Sequence, residues 1–419
     1  MAVRIILLTT IALLAWTALA VTGTIEGWWR KPLAAHGDAG AFRNAAIAEI
    51  DASYKGNVAF VMIQHGAVFG NHFASVGQPV SGDSRFQVAS MSKWITAWGV
   101  MTLVEAGKLD LDKPVAGYLT RWKFPPGAFD SNGVTVRRLL SHTAGLTDGL
   151  GYAGFKPGQP VQRLEDSLTH AADASPGHDG SVRVGVEPGT EFKYSGGGYT
   201  LLQLLIEEVS GQSFNDYMTS HVFDKLGMAR STFVLKDDDV AAFYDTRGEP
   251  ATHNRFAALA AASLYTTTSD MTRFLQAHVR GPNGEPPGRG VLKPEPLVEM
   301  RRPHASKFGV EIWGLGTILF APNNRGSFII GHDGNNEPAI NTAARVDPDT
   351  GDGIIILETG NKLLATMLAS EWVFWRTGNV DFLMVTMESG TLLRILAAGW
   401  VVIVLGGLFA GLRARRVVV

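Results

Sequence analysis

The 419-residue chain carries 37 basic and 39 acidic side chains and a formal charge of −2, so no basic field points to nucleic acid. It has no cysteine, which excludes disulfides, thiolate catalysis and cysteine-held metals. Hydrophobic residues make up 46% and charged residues 18%, a globular ratio tilted toward apolar by the two chain ends.

Arg4 is followed by an uncharged apolar run from Ile5 to Thr22. Residues 1–24 therefore read as a secretory signal peptide or an N-terminal membrane anchor. Ala18-Leu19-Ala20 fits a small-x-small cleavage site, whereas Trp28, Trp29, Arg30 and Lys31 fit the interfacial belt of a retained anchor. Both fates stay open. Residues 25–37 form a linker, and residues 38–380 read as one compact region without a Ser- or Pro-rich break.

Within that region, Ala39–Tyr54 has the pattern of an amphipathic helix. Asn57–His65 and Ala67–Val76 read as a strand pair turning at Gly66. The middle is mostly helical. Trp94–Ala106 is apolar on nearly every face, as a buried helix is, and ends at Gly107. Tyr199–Ser210 ends at Gly211, and Ser213-Phe214-Asn215-Asp216 resembles a capping box. Strand-like runs return at Ser327–Ile330, Ala339–Val346 and Gly353–Leu357, followed by a helix over Lys362–Thr377. Strands at both ends with helices between them predict an α+β fold: an antiparallel sheet flanked by helices, plus an all-helical subdomain. The uncharged stretch Ile395–Leu412, roughly 27 Å long as a helix against a core of about 30 Å, predicts a transmembrane helix over 392–412. Arg413, Arg415 and Arg416 in the tail 413–419 put that end in the cytoplasm and residues 38–380 on the periplasmic or outer side.

The chemistry centres on Ser90-Met91-Ser92-Lys93. Three residues apart on a helix, Ser90 and Lys93 share a face. At a helix N-terminus, backbone N–H groups point outward and can hold a developing oxyanion. A serine hydroxyl needs a base to become a nucleophile, and desolvation against an apolar helix favours the neutral amine that lysine must be to serve as one. The structural alternative is an N-capping serine with a solvated lysine.

Val88-Ala89-Ser90-Met91-Ser92-Lys93 resembles the first motif of the class C β-lactamase, D,D-peptidase and penicillin-binding-protein-related esterase family. Leu139-Leu140-Ser141-His142-Thr143-Ala144-Gly145-Leu146 is similar to a second hallmark. Tyr194-Ser195-Gly196-Gly197-Gly198-Tyr199 resembles a third, and Ser263–Met271 and Gly331-His332-Asp333-Gly334 complete the series in order. The resemblance implies a β-lactamase/transpeptidase-like fold and an acyl-enzyme on Ser90. Tyr194 would share proton transfer with Lys93, and Ser90 and Asn335 would lend N–H groups to the oxyanion. Gly334 would leave room for substrate, and His332 would orient a substrate carboxylate or bond Tyr194. His142 is assigned to packing. Gly196 departs from the pattern, which there has an asparagine that contacts the substrate's acyl amide. Losing that contact costs about 1–3 kcal/mol and puts β-lactam hydrolysis in doubt.

The implied substrates are small molecules or peptides: D-amino-acid peptides, then esters, then β-lactams. Family members with C-terminal membrane helices also include peptidases that trim an acylated D-amino acid from a secreted precursor. A non-catalytic wall-binding protein of this fold would be expected to have lost Ser90, Lys93 or Tyr194. No G-x-S-x-G elbow surrounds Ser90, the Gly196-Gly197-Gly198 run lacks the G-x-G-x-x-G spacing, and no H-E-x-x-H is present, so neither cofactor nor metal is implied. Oligomeric state is left open. The Gly- and Pro-rich loop 149–189 is expected to overlie the site.

Overall fold

The computed structural model describes residues 2–149, 151–236, 239–387 and 389–416. The chain opens with the apolar helix α1 (Ala2–Ile25). Helix α2 (Ala39–Ser53) follows, its first turn capped by the Asp38 carboxylate, which accepts the Ala41 N–H. An eight-stranded antiparallel sheet is built from β1 (Asn57–Gln64), β2 (Ala67–Ser75), β3 (Ala305–Lys307), β4 (Val310–Trp313), β5 (Ile318–Pro322), β6 (Phe328–Asn336), β7 (Ile340–Val346) and β8 (Gly353–Thr359). Their spatial order is β2-β1-β8-β7-β6-β5-β4-β3. The expected antiparallel sheet whose chain leaves and returns is present. Strands β3 to β5 are additions: they are short, and Gly314 and Gly316 interrupt any alternation that would have marked them.

The central strands are buried on both faces, and their side chains divide with the period of two that a pleated strand imposes. Val58, Phe60, Met62, Ile354 and Ile356 face one core, which α2 and the helix Leu364–Thr377 complete with Phe42, Ile50, Leu368 and Trp372. Ala59, Val61, Ile63, Ile355 and Leu357 face the other, with Trp94, Trp98 and Leu201 from the helical region. Helix α3 (Ser92–Glu105) runs between sheet and helical subdomain, buried on nearly every face through Met101. Gly107 closes it at φ +67°, with the Lys108 N–H returning to the Leu103 carbonyl at 2.9 Å. Helix α4 (Gly196–Ser210) ends at Gly211, also left-handed. Ser213 then caps the next helix by accepting the Asp216 N–H at 3.2 Å. Helix α5 (Leu364–Thr377) lies on the outer face of the sheet, and the long apolar helix α6 (Ser389–Arg416) ends the described chain.

Candidate active site

Ser90 does not begin the α-helix itself. It sits in one turn of 3-10 helix, Ala89–Met91, directly before α3. Ala89 holds φ at +47°, a region disfavoured for a residue with a Cβ. The surrounding bonds impose it. The Val88 N–H donates to the Leu264 carbonyl at 2.9 Å, the Thr342 hydroxyl donates to the Val88 carbonyl at 3.0 Å, and the Ser92 hydroxyl donates to the Ala89 carbonyl at 2.6 Å. The turn that carries Ser90 is thus held between β7, the segment 259–264 and its own helix.

Lys93 is 2% exposed. Its Nζ lies 3.0 Å from Ser90 Oγ and donates to the Ala261 carbonyl at 2.7 Å. The segment that presents this carbonyl is fixed in turn: Thr96 donates to the Ala260 carbonyl and Gln203 accepts the Ala260 N–H. Tyr194 arrives from the other side, its ring centroid 5.1 Å from Lys93 Nζ. Residues far apart in sequence are therefore brought to one place, and the solvated-lysine alternative is set aside.

Tyr194 is held by His142. The Lys193 N–H donates to the His142 carbonyl at 2.7 Å, and the Ser195 N–H donates to His142 Nδ1 at 3.1 Å. The imidazole lies against the tyrosine ring at 4.3 Å and 32°. Burial, reinforced by the nearby Lys93 charge and His332, holds His142 well below the ordinary histidine range. It is therefore a neutral spacer, and its structural assignment gains a specific object. Ser195, next along, caps α4 by accepting the Gly198 N–H at 2.8 Å. Its own hydroxyl donates to the Asp148 carboxylate in a short bond. Asp148 also accepts the Gly197 N–H at 2.7 Å, and burial raises its pKa above the usual carboxylate range. The sequence shows Asp148 only as one acid in a loop, because its partners lie 47 and 49 residues away.

Two expectations need correction. Gly334 is not an opening for substrate: a Cβ there would stand 2.0 Å from the Val88 carbonyl oxygen and 2.6 Å from Thr342 Oγ1. Glycine is required because β6 presses directly on the backbone that carries the nucleophile. His332 is not placed to meet a substrate carboxylate. It is 2% exposed, its Nδ1 bonds the Asp333 carbonyl at 2.6 Å, and its ring stands edge-on to Trp313. Burial pushes it down to about 3, so it is neutral and has no charge to offer an anion. It makes no hydrogen bond to Tyr194.

Asn335 and Asn336 do reach the site. With Ser90, Lys93, Gly151, Tyr152, Ser175, Ala261 and Ala262 they line a cleft of about 150 Å³. β6 pairs with β5 only as far as Gly331, so beyond that point its free edge borders the nucleophile. The loop 149–189 overlies the cleft through Gly151, Tyr152 and Ser175, as expected. Beside Gly196 stands Tyr152. A Cβ on Gly196 would meet that ring at 2.9 Å, and the phenol is locked to Thr200 at 2.8 Å. Among the described residues, no group of three or more His, Asp or Glu side chains could hold a metal.

A sequence model described as Beta-lactamase matches residues 44–370. The chain belongs to the β-lactamase family. Among its relatives, Penicillin-binding protein 4 of Amycolatopsis lactamdurans is 29% identical over 299 residues, 68% of this chain and 74% of that protein. Penicillin-binding protein 4* of Bacillus subtilis is 36% identical over 155 residues, 36% of this chain and only 31% of the relative's length. The D-alanyl-D-alanine-carboxypeptidase/endopeptidase AmpH of Escherichia coli is 22% identical over 293 residues, covering 67% and 72%. The octameric penicillin-binding protein homologue from Pyrococcus abyssi superposes with a TM-score of 0.67 at 25% identity, over 82% of this chain and 78% of that one. Ser90 lies in the 3-10 turn and Lys93 in the first turn of the helix after it, and Gly196 packs against Tyr152.

Proposed function

We propose that the protein is a serine hydrolase that acts through an acyl-enzyme on Ser90. The observation that carries this reading is Lys93 Nζ, buried, 3.0 Å from Ser90 Oγ and 5.1 Å from the Tyr194 ring centroid. Ser90 Oγ attacks a carbonyl carbon while its proton passes to the Lys93–Tyr194 pair. The Ser90 and Asn335 N–H groups receive the negative charge that develops on the carbonyl oxygen. The same pair returns the proton to the departing amine or alcohol. Water then cleaves the ester bond to Ser90 and regenerates the enzyme.

Substrate preference follows from Gly196 and Tyr152. The position that would carry an amide donor is occupied by an aromatic ring. Asn336 Nδ2 already donates to the Tyr152 carbonyl, at 3.4 Å, and Asn335 Nδ2 to the Lys362 carbonyl, at 2.6 Å. A substrate that depends on an acyl-amide contact finds no dedicated partner. We assign D-amino-acid peptides and small esters ahead of β-lactams, with the domain on the outer side of a membrane. The apolar α6, followed by arginines, supports a second reading in the same chemistry: a membrane-held peptidase that matures a secreted acyl-D-amino-acid precursor.

A fluorophosphonate probe should label the wild-type protein and fail on Ser90→Ala. A panel of p-nitrophenyl esters, D-Ala-D-Ala peptides and nitrocefin should show ester or peptide turnover exceeding nitrocefin turnover. Absence of wild-type labelling under conditions that label a control hydrolase would end the catalytic reading, and fast nitrocefin turnover would overturn the substrate order.

A further inference from the structure

The fate of the first apolar segment is written in its contacts. α1 and α6 lie against each other in antiparallel register, Thr9 opposite Gly407 and Trp16 opposite Gly399. A Cβ on Gly399 would stand 2.0 Å from Trp16 Nε1, and one on Gly407 would stand 2.5 Å from Thr9 Oγ1. Each glycine is therefore a notch that receives a side chain of the other helix. Two hydrogen bonds cross the same seam. Trp16 Nε1 donates to the Ile395 carbonyl at 3.3 Å, and Trp400 Nε1 donates to Thr17 Oγ1 at 2.9 Å. In hydrocarbon, where apolar side chains gain nothing by leaving lipid, small-residue notches and interhelical hydrogen bonds are what hold helices together.

The bond that a signal peptidase would cut is also withdrawn. Ala20 lies inside α1 and is 0% exposed, and its carbonyl accepts the Thr24 hydroxyl at 2.9 Å. Just beyond α1, the chain is fastened to the hydrolase domain. Arg30 pairs with Glu371, Trp375 Nε1 donates to the Ala35 carbonyl at 2.8 Å, and a Cβ on Gly27 would meet the Phe374 ring at 2.7 Å.

We propose that α1 is a permanent membrane span that forms a hairpin with α6, so that Arg4 and Arg413 lie on the same cytoplasmic face and the hydrolase domain outside. The arginines that follow α6 obey the positive-inside preference, and the pairing with α6 fixes the direction of α1. Loss of residues 2–20 would leave the notches of α6 and its Trp400 indole facing lipid.

Because the chain has no cysteine, cross-linking is free of background. The Cβ position of Gly407 is 3.4 Å from Thr9 Cβ, close to the spacing a disulfide needs. The full-length Thr9→Cys/Gly407→Cys protein, oxidised in its membranes and digested, should yield a linked peptide pair. Leu8→Cys/Leu408→Cys, at two lipid-exposed positions, should not. The unmodified protein extracted from membranes should retain residues 2–20 in its intact mass. A mature N-terminus after Ala20 overturns the proposal, and so does an intact chain in which the 9–407 pair links no better than the 8–408 pair.

Discussion

His142 shows how a single side chain acts on chemistry it does not touch. Its carbonyl and Nδ1 accept the N–H groups on either side of Tyr194, and its ring supports the phenol's face. His142→Ala is expected to lower kcat by about 10²-fold, the cost of a displaced catalytic group, with a much smaller change in KM. Because the imidazole stays neutral through the working range, the pH–rate profile should keep its shape. Loss of an ionisation near the ordinary histidine pKa in the variant would instead make His142 an acid–base group. At Gly196 the relevant neighbour is Tyr152. Gly196→Asn alone should not restore β-lactam turnover, because its Cβ meets the ring. It should destabilise the protein by about 1–3 kcal/mol through overpacking, measurable as a lower Tm. A gain in nitrocefin hydrolysis without loss of Tm would show that the ring yields. Ser90, Lys93 and Tyr194 were legible because each sits in a run with its own neighbours' signature. Asp148 and Tyr152 were not, since what makes them matter is a contact with a residue 44 to 49 positions away.

Among the elements, β6 presses on the backbone just before Ser90, and Gly334 sets the distance. Gly334→Ala must push β6 off the Val88 carbonyl. The expected result is loss of ester turnover together with reduced stability, on the order of 1–3 kcal/mol. Retained kcat would mean that the strand and the nucleophile turn are not rigidly coupled. β8 carries a different signal. Glu358 is fully buried, and one of its oxygens accepts the Ala365 N–H at 3.1 Å in the first turn of α5. Burial raises it to about 8. The folded state therefore holds the proton more tightly than the unfolded chain does. Stability from this group is full below its ordinary pKa of 4.5 and is lost as pH rises through about 8. Glu358→Gln should shrink the fall in Tm between pH 5 and pH 8 relative to wild type, and identical slopes would remove the assignment. The long helices and buried strands could be read from periodicity. The strands β3 to β5 could not, because three to five residues beside glycines are too few to display a period.

For the whole molecule, the cleft and the chain leaving the apolar helix α1 meet opposite ends of α5. Asn335 bonds the chain at Lys362, just before the helix begins, while Gly27 packs against Phe374 near its end. A helix of this length is roughly 21 Å long. In the proposed membrane-held arrangement, that separation would set the cleft away from the lipid surface and suit a substrate presented from the aqueous side. The sequence predicted the terminal apolar segments, but their pairing depends on which helix faces meet, and composition does not report that.

The sheet and the tether are joined by one more residue. Arg345, fully buried on β7, binds Asp333 of β6 and reaches Asp381 at 3.4 Å. Asp381 also accepts the Ser370 hydroxyl at 3.0 Å and is itself fully buried. Cutting the chain at residue 380 would remove the buried Asp381 carboxylate and leave the Arg345 guanidinium to Asp333 alone, a loss on the order of 1–3 kcal/mol, whereas a chain that continues through Met387 keeps the clasp closed. The edge of the folded domain thus lies past Thr377, where α5 ends.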